Sequence, residues 1–330
     1  MKKKSKVKNL LSSREALLVI ILIILMIVVE CFNTSFLTPS SLTQLIKNNA
    51  VCLVMALGML LVLLTGGIDI SIMSTLAFSG MAIGMLLKYD YVSGTIIPFI
   101  IAIAIGTGCG LLVGLIISRC DVPPIICTMG FMYIYRALGY LISNGGEWAS
   151  ASALGSFSDF ATSKFLGINI VIWIVVICYV IFFIFMKWTK TGRKFYAVGS
   201  NPEAAQVSGI NVRNVKMLAY TIMGLLAGLG GALQVGIYAS AMPNMQKGGE
   251  MDVIAACVIG GVSMSGGRGS VVGTLLGALI LATIVKALPL LGIDSLAQDM
   301  FKGILILVVV VLNVVMQRVT DKNALKAREM

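Results

Sequence analysis

Apolar residues fall into long blocks along this chain, separated by short polar stretches. A helix needs about 20 mostly apolar residues to cross the hydrocarbon core of a bilayer. By that measure the pattern predicts ten transmembrane helices. They are Ala16–Phe32, Ile46–Thr65, Ile68–Leu87, Ser93–Ser118, Pro124–Ile142, Ile168–Trp188, Val215–Ile237, Val253–Met264, Val271–Leu291 and Met300–Met316. The runs are unbroken, whereas the strands of a membrane barrel alternate. The eighth is short and enters the glycine-rich stretch from Gly260 to Gly267. The expected fold is all-α, a polytopic membrane protein of about ten spans. The membrane-embedded body would run over 16–316, with short basic segments at 1–15 and 317–330.

Composition agrees with this pattern. The 330 residues are 58% hydrophobic and 12% charged, against about 25% charged in a soluble domain. Such a chain cannot clothe a water-facing surface, which excludes a soluble enzyme, a coiled coil and a disordered scaffold. There is no histidine, so serine–histidine and cysteine–histidine catalysis, HExxH zinc sites and histidine-ligated haem are excluded. The seven cysteines form no CxxC and lie mostly inside apolar runs, as small buried hydrophobes do. No metal, cofactor or catalytic residue is expected. The first span lacks a small-x-small cleavage site, so it reads as a retained helix.

The net charge of +11 follows topology and does not point to nucleic acid. Lys2, Lys3, Lys4, Lys6, Lys8 and Arg14 precede the first span. Lys187, Lys190, Arg193, Lys194, Arg213 and Lys216 bracket one internal loop, and Arg318, Lys322, Lys326 and Arg328 follow the last span. With the N-terminus inside and ten crossings, these and Arg119 and Arg268 are cytoplasmic, while Lys47, Lys88, Lys164 and Lys247 are external. The positive-inside rule favours that orientation, with both termini cytoplasmic. The longest external connection, about 143–167, is rich in small and polar residues and suits either a lid or a plain link.

The loop at 189–214 carries the strongest local signal. Asn201 suits a helix N-cap, Pro202 the first helical position and Glu203 the positive end of the helix dipole. Gly209 stands where a C′ glycine ends a helix. A short capped helix outside the membrane is expected, with Ser200, Asn201, Pro202, Glu203, Ala204, Ala205 and Gly209 as its functional set.

The Glu203-Ala204-Ala205-x-x-x-Gly209 pattern resembles the coupling motif of ABC importer permeases. Gly66-Gly67-Ile68-Asp69-Ile70-Ser71, the run Gly192-Arg193 through Gly209-Ile210-Asn211-Val212, and the block from Ile259 to Ala278 resemble the ribose-type branch of that family. The likeness extends from about Phe36 to the end. One departure is Ile72-Met73, where the ribose-type pattern has a glycine. The resemblance implies a permease subunit in a bacterial inner membrane that moves a small sugar. It also implies three partners: a separate ABC ATP-binding subunit docked on the capped helix, an extracytoplasmic sugar-binding protein, and a second permease copy or close paralogue. The absence of a GxxxxGK[ST] loop agrees with nucleotide binding elsewhere.

Two glycine breaks overlay at an offset of 194 residues, Gly66-Gly67 with Ser71 and Gly260-Gly261 with Ser265. Paired interrupted helices mark pathways in transporters. Gly66, Gly67, Asp69, Ser71, Gly260, Gly261 and Ser263 are therefore candidate pathway or gate residues, with Asp69 expected to cap the third span. Glu250 and Asp252 open the eighth span and are candidates for contact with a binding protein. Arg136, inside the fifth span, calls for a carboxylate partner. Dense small residues in the seventh span, and at Gly106, Gly108, Gly110 and Gly114, suit close helix packing. The competing reading is a secondary transporter driven by an ion gradient, for which Asp69 and Asp299 are the acids away from span edges.

Overall fold

Fourteen of the fifteen residues of one helix, Ala50–Leu64, are buried, and the rest of the bundle is arranged around it. The computed structural model describes residues 14–294 and, beyond them, 297, 298, 300–304, 307, 308 and 311. The helices are α1 (Arg14–Phe32), α2 (Pro39–Asn48), α3 (Ala50–Leu64), α4 (Ile72–Lys88), α5 (Ile96–Arg119), α6 (Pro124–Ile142), α7 (Ala151–Leu154), α8 (Ile170–Trp188), α9 (Lys190–Ser200), α10 (Pro202–Val207), α11 (Val212–Tyr238), α12 (Gly249–Ile259) and α13 (Val271–Leu290). A two-residue hairpin, β1 (Lys164–Phe165) with β2 (Ile168–Asn169), sits in the connection before α8.

The protein is a helical, multi-pass membrane protein. Among the described residues, six helices are long and apolar enough to cross a membrane, or seven if α2 and α3, bent by 49° at Asn49, make one span. The expected third span is a helix of 17 residues and the eighth one of 11. At about 1.5 Å per residue, α12 is only half a crossing long. Most of the expected tenth span, Asp299 and the basic ends lie outside the described residues.

Burial divides the helices by position. The apolar windows of α11 and α13 are 72% and 67% buried, against 17% for α1, 22% for α6 and 28% for α8. The inner set is rich in glycine for a geometric reason. A Cβ on Gly106 would lie 2.7 Å from the Gly228 Cα, and one on Gly110 would lie 2.7 Å from the Gly224 Cα. The backbones of α5 and α11 therefore touch directly, as small-residue stripes permit. Gly108 points away from this seam and has nothing near it. On the other side of the core, Gly273 and Gly277 of α13 pack on Gly260.

Two cations inside the bundle are held by backbone carbonyls. Arg136 donates to the carbonyls of Pro243 and Met245, at 2.9 and 3.0 Å. Those carbonyls, left free by the irregular segment before α12, take the place of the expected carboxylate. Lys286, within α13, donates to the Ser41 carbonyl and hydroxyl, both at 2.6 Å, and lies 5.1 Å from the Phe36 ring centroid. It thus pins α13 to α2. At the end of the bundle that holds the hairpin, Lys88 pairs with Glu147, which also accepts from Tyr89 and Asn144. The hydrogen bond from Lys88 leads in holding the Glu147 carboxyl below its ordinary value.

Candidate functional site

Six helix ends among the described residues are built the same way, and three of them hold the candidate glycines. After α3, the Gly66 N–H donates to the Leu63 carbonyl and the Gly67 N–H to Val62. After α12, Gly261 donates to Val258 and Val262 to Cys257. After α10, Gly209 donates to Gln206 and Ile210 to Ala205. This paired pattern needs a left-handed residue at C′, and Gly66, Gly261 and Gly209 have φ of +76°, +91° and +80°. The equivalent residues of the two membrane breaks are Gly66 and Gly261. Their offset is one residue longer than the overlay of the paired glycines. Gly260 has a different job, since a Cβ there would overlap the Gly273 carbonyl of α13.

The two membrane breaks meet. The Gly267 N–H donates to the Leu64 carbonyl at 3.0 Å, so the loop after α12 closes the end of α3. Gly266 and Gly267 are both left-handed, with φ of +87° and +72°. Ser263 holds that loop by donating its N–H to Arg268 and accepting from the Ser265 N–H through its hydroxyl. On the other loop, buried Asp69 accepts from both the N–H and the hydroxyl of Ser71, at 2.9 and 2.6 Å. Asp69 therefore clamps its own turn. It does not cap the next span, and Ser71, the residue before α4, makes no side-chain cap there. Gly67 lies under the Tyr220 hydroxyl of α11, where any Cβ would overlap it.

A third segment fits between the two breaks. The block at 190–200 falls where the sequence pattern predicts a loop, and it is helix α9. Thr189 caps it by accepting from the Gly192 N–H at 2.9 Å. Phe195 and Val198 sink fully into the bundle. Tyr196 donates to the Gly269 carbonyl at 3.0 Å, and partial burial raises its pKa above the ordinary value. Gly199 lies so close to α3 that a Cβ would overlap the Leu64 carbonyl. Ser200 ends α9 against Gly267, whose Cβ, if it had one, would stand 2.9 Å from the Ser200 Cα. Gly66-Gly67, Gly199-Ser200 and Gly266-Gly267 thus form one backbone junction.

The expected capped helix follows at once. Asn201 accepts from the Ala204 N–H at 3.0 Å and Pro202 takes the first turn. The helix is shorter than the Ser200–Gly209 segment suggested, at six residues. Ala205 is its one buried side chain, while Glu203 and Ala204 face outward. Val207 is 91% exposed, an apolar side chain with no covering neighbour. Beside it, a groove of about 640 Å3 is lined by Asp121, Gln206, Gly209, Arg213 and Lys216 among others. Glu250 and Asp252 stand half-buried in the first turn of α12, at the opposite end of that half-helix from the junction. Among the described residues, no group of three His, Cys, Asp or Glu side chains is arranged to hold a metal ion.

A family model described as the permease component of branched-chain amino acid transport systems matches residues 41–310. The chain belongs to this permease family. The match takes in both glycine breaks, α9, α10 and the seam between α5 and α11. The permease is 38% identical to the ribose import permease protein RbsC of Bacillus subtilis over 87% of its length and 88% of the relative's. It is 34% identical to the autoinducer 2 import system permease protein LsrC of an Enterobacter species, over 93% and 88% of the two chains. It is 31% identical to the L-arabinose ABC transporter permease protein AraH of Azospirillum brasilense, over 83% and 80%. No solved structure is matched. The permease is accordingly a transport subunit and not an enzyme, and the ion-driven secondary transporter loses its support.

Proposed function

We propose that the permease forms the translocation pathway of an ATP-driven importer for a small sugar or sugar-like solute, in the bacterial inner membrane. The observation that carries this reading is the direct backbone contact between α9, which leads into the capped helix, and the ends of two broken membrane helices. A push on the surface helix α10 reaches Leu64 and Gly267 through rigid main chain. The exposed Val207, with Glu203 and Ala204 beside it, forms the face that docks on a separate ATPase subunit. Ser200, Asn201, Pro202, Ala205 and Gly209 shape and hold that helix. Gly66, Gly67, Asp69, Ser71, Gly260, Gly261 and Ser263 form the gate on the cytoplasmic side.

In this reading the chain crosses the membrane ten times when α12 and its following loop count as a crossing, and both termini are cytoplasmic. The end with the Lys88–Glu147 pair is then external, where Trp148 and Glu250 meet a sugar-binding protein. A second copy or close paralogue completes the pathway, and α1, α6 and α8 face lipid. The sugar assignment follows from the similarity to import permeases for ribose, arabinose and autoinducer 2. The test is purification of the permease with its neighbouring gene products, followed by uptake in vesicles. Co-elution of an ATPase and ATP-dependent uptake of ribose or arabinose are expected. Uptake driven by an ion gradient without ATP would sink the reading.

A further inference from the structure

A second polar feature lies far from the junction. A cavity of about 200 Å3 opens where three backbone interruptions converge: the bend at Asn49, the end of α11 at Tyr238 and the start of α12 at Gly249. Its walls from α3, α4 and α13 are apolar. Into them project Asn48, Asn49, Tyr238, Gln246, Asp252 and Lys302. The fifteen residues of α3 at about 1.5 Å each put Asn49 about 22 Å from the junction. In a hydrocarbon core about 30 Å thick that is past the midplane.

Polar side chains at such depth are costly and are kept where they meet a solute or water. These are also held in place. Gln246 donates through its side-chain amide to the Oε1 of buried Gln234 at 3.0 Å. Asn49 donates to the Leu45 carbonyl at 2.9 Å. Each amide keeps hydrogen-bonding capacity beyond that one bond. The cavity is smaller than the 300 Å3 or so typical of drug-sized ligands, so its occupant is small. Two amides, a further asparagine and a phenol offer neutral donors and acceptors, and the one acid and one base balance each other in sign. That set suits several hydroxyl groups better than a fixed charge.

We propose that this cavity is a transit site for a neutral polyhydroxylated solute of pentose size, occupied between entry from outside and exit at the glycine junction. The proposal rests on the sugar-import reading and adds the residues that hold the solute inside the membrane. Asp252 then acts within the pathway, while Glu250, two residues earlier, remains at the rim.

The experiment uses the complete transporter, with its ATPase and binding protein, in lipid vesicles. Uptake of labelled D-ribose, L-arabinose and L-leucine is measured beside ATP hydrolysis. Tyr238→Phe and Asp252→Asn remove single contacts, and Ala282→Leu narrows the cavity from the α13 side. Each contact variant is expected to lower maximal sugar uptake about fivefold, the value of one hydrogen bond of roughly 1 kcal/mol. Hydrolysis stimulated by loaded binding protein should stay at the parental rate, so that less sugar moves per ATP. A misfolded variant would lose both. If the parent carries sugar and all three variants match it in sugar moved per ATP, the cavity proposal alone falls. If the parent carries leucine and neither sugar, both the sugar reading and the cavity proposal fall.

Discussion

Gly199 and Leu64 touch main chain to main chain, and the Leu64 carbonyl that fills the space of a Gly199 side chain also accepts from Gly267 at 3.0 Å. One carbonyl thus joins the end of α3, the end of α9 and the loop after α12. Gly199→Ala must push these three segments apart. Overpacking of this kind costs about 1–3 kcal/mol, so the thermal midpoint of the purified complex is expected to fall. ATP hydrolysis should also lose its link to uptake. A variant with unchanged midpoint and normal uptake per ATP would remove the junction from the mechanism.

The capped helix allows two substitutions with opposite signatures. Asn201→Ala deletes the side-chain acceptor for Ala204 and should cost about 1 kcal/mol of local stability, read as faster amide exchange over 202–207. Val207→Asp touches no protein neighbour and should change global stability by less than about 0.5 kcal/mol. It should nevertheless weaken recovery of the ATPase subunit by pull-down. Equal ATPase recovery from Val207→Asp and the parent would mean that this face is not the docking face.

The seam between α5 and α11 predicts a contrast between neighbouring glycines. Gly110→Val inserts a branched side chain where the Gly224 backbone already lies. It should cost 3 kcal/mol or more, the upper end of overpacking effects, and cut the yield of folded protein. Gly108→Ala faces away and should be neutral or gain about 1 kcal/mol through helix propensity. Size-exclusion profiles and thermal midpoints in detergent measure both. Similar behaviour of the two variants would argue against the seam.

Glu147 predicts a pH effect outside the membrane. Its carboxyl titrates below the ordinary 4.5 because the charged form is held by Lys88, Asn144 and Tyr89. Its contribution is therefore complete above that ordinary value and is lost as pH falls through the lower, folded value. The pair is exposed, so global stability should barely respond. The reporter is Trp148 fluorescence in a Trp173→Phe, Trp188→Phe background. It should shift as acid releases the loop, and Glu147→Gln should already show the acid spectrum at neutral pH. A pH-independent spectrum in the parent would refute the tether.

Much of the working end was legible in the chain because it depends on special backbone. Asn201, Pro202, Glu203 and Gly209 each occupy a position that few other residues fill well. The glycine pairs also marked the two breaks correctly. Helix α9 has a weak signal because its buried face is Gly192, Phe195 and Val198, with only two large apolar side chains in a run of basic and small residues. The bend at Asn49 was hidden because hydropathy measures how long a segment is and carries no information on its direction. The spacing of Asp69 to the next helix allows a capping geometry. The fold instead turned the carboxylate onto Ser71, and no pattern of one sequence distinguishes these outcomes. Arg136 shows as a charge in an apolar run, but its partners are carbonyls of an irregular segment, which sequence does not reveal.

The glycine seam has a mechanical consequence. Gears need teeth, and between α5 and α11 there are none, because backbone lies on backbone along Gly106, Gly110, Gly224 and Gly228. The two helices behave as a single plank. Its root, where Asn211 caps α11 and Arg119 reaches Asn214 at 3.1 Å, adjoins the surface helix. In the proposed coupling mechanism, force delivered there tilts the whole plank, so a short stroke at the root becomes a wide swing at the far rim.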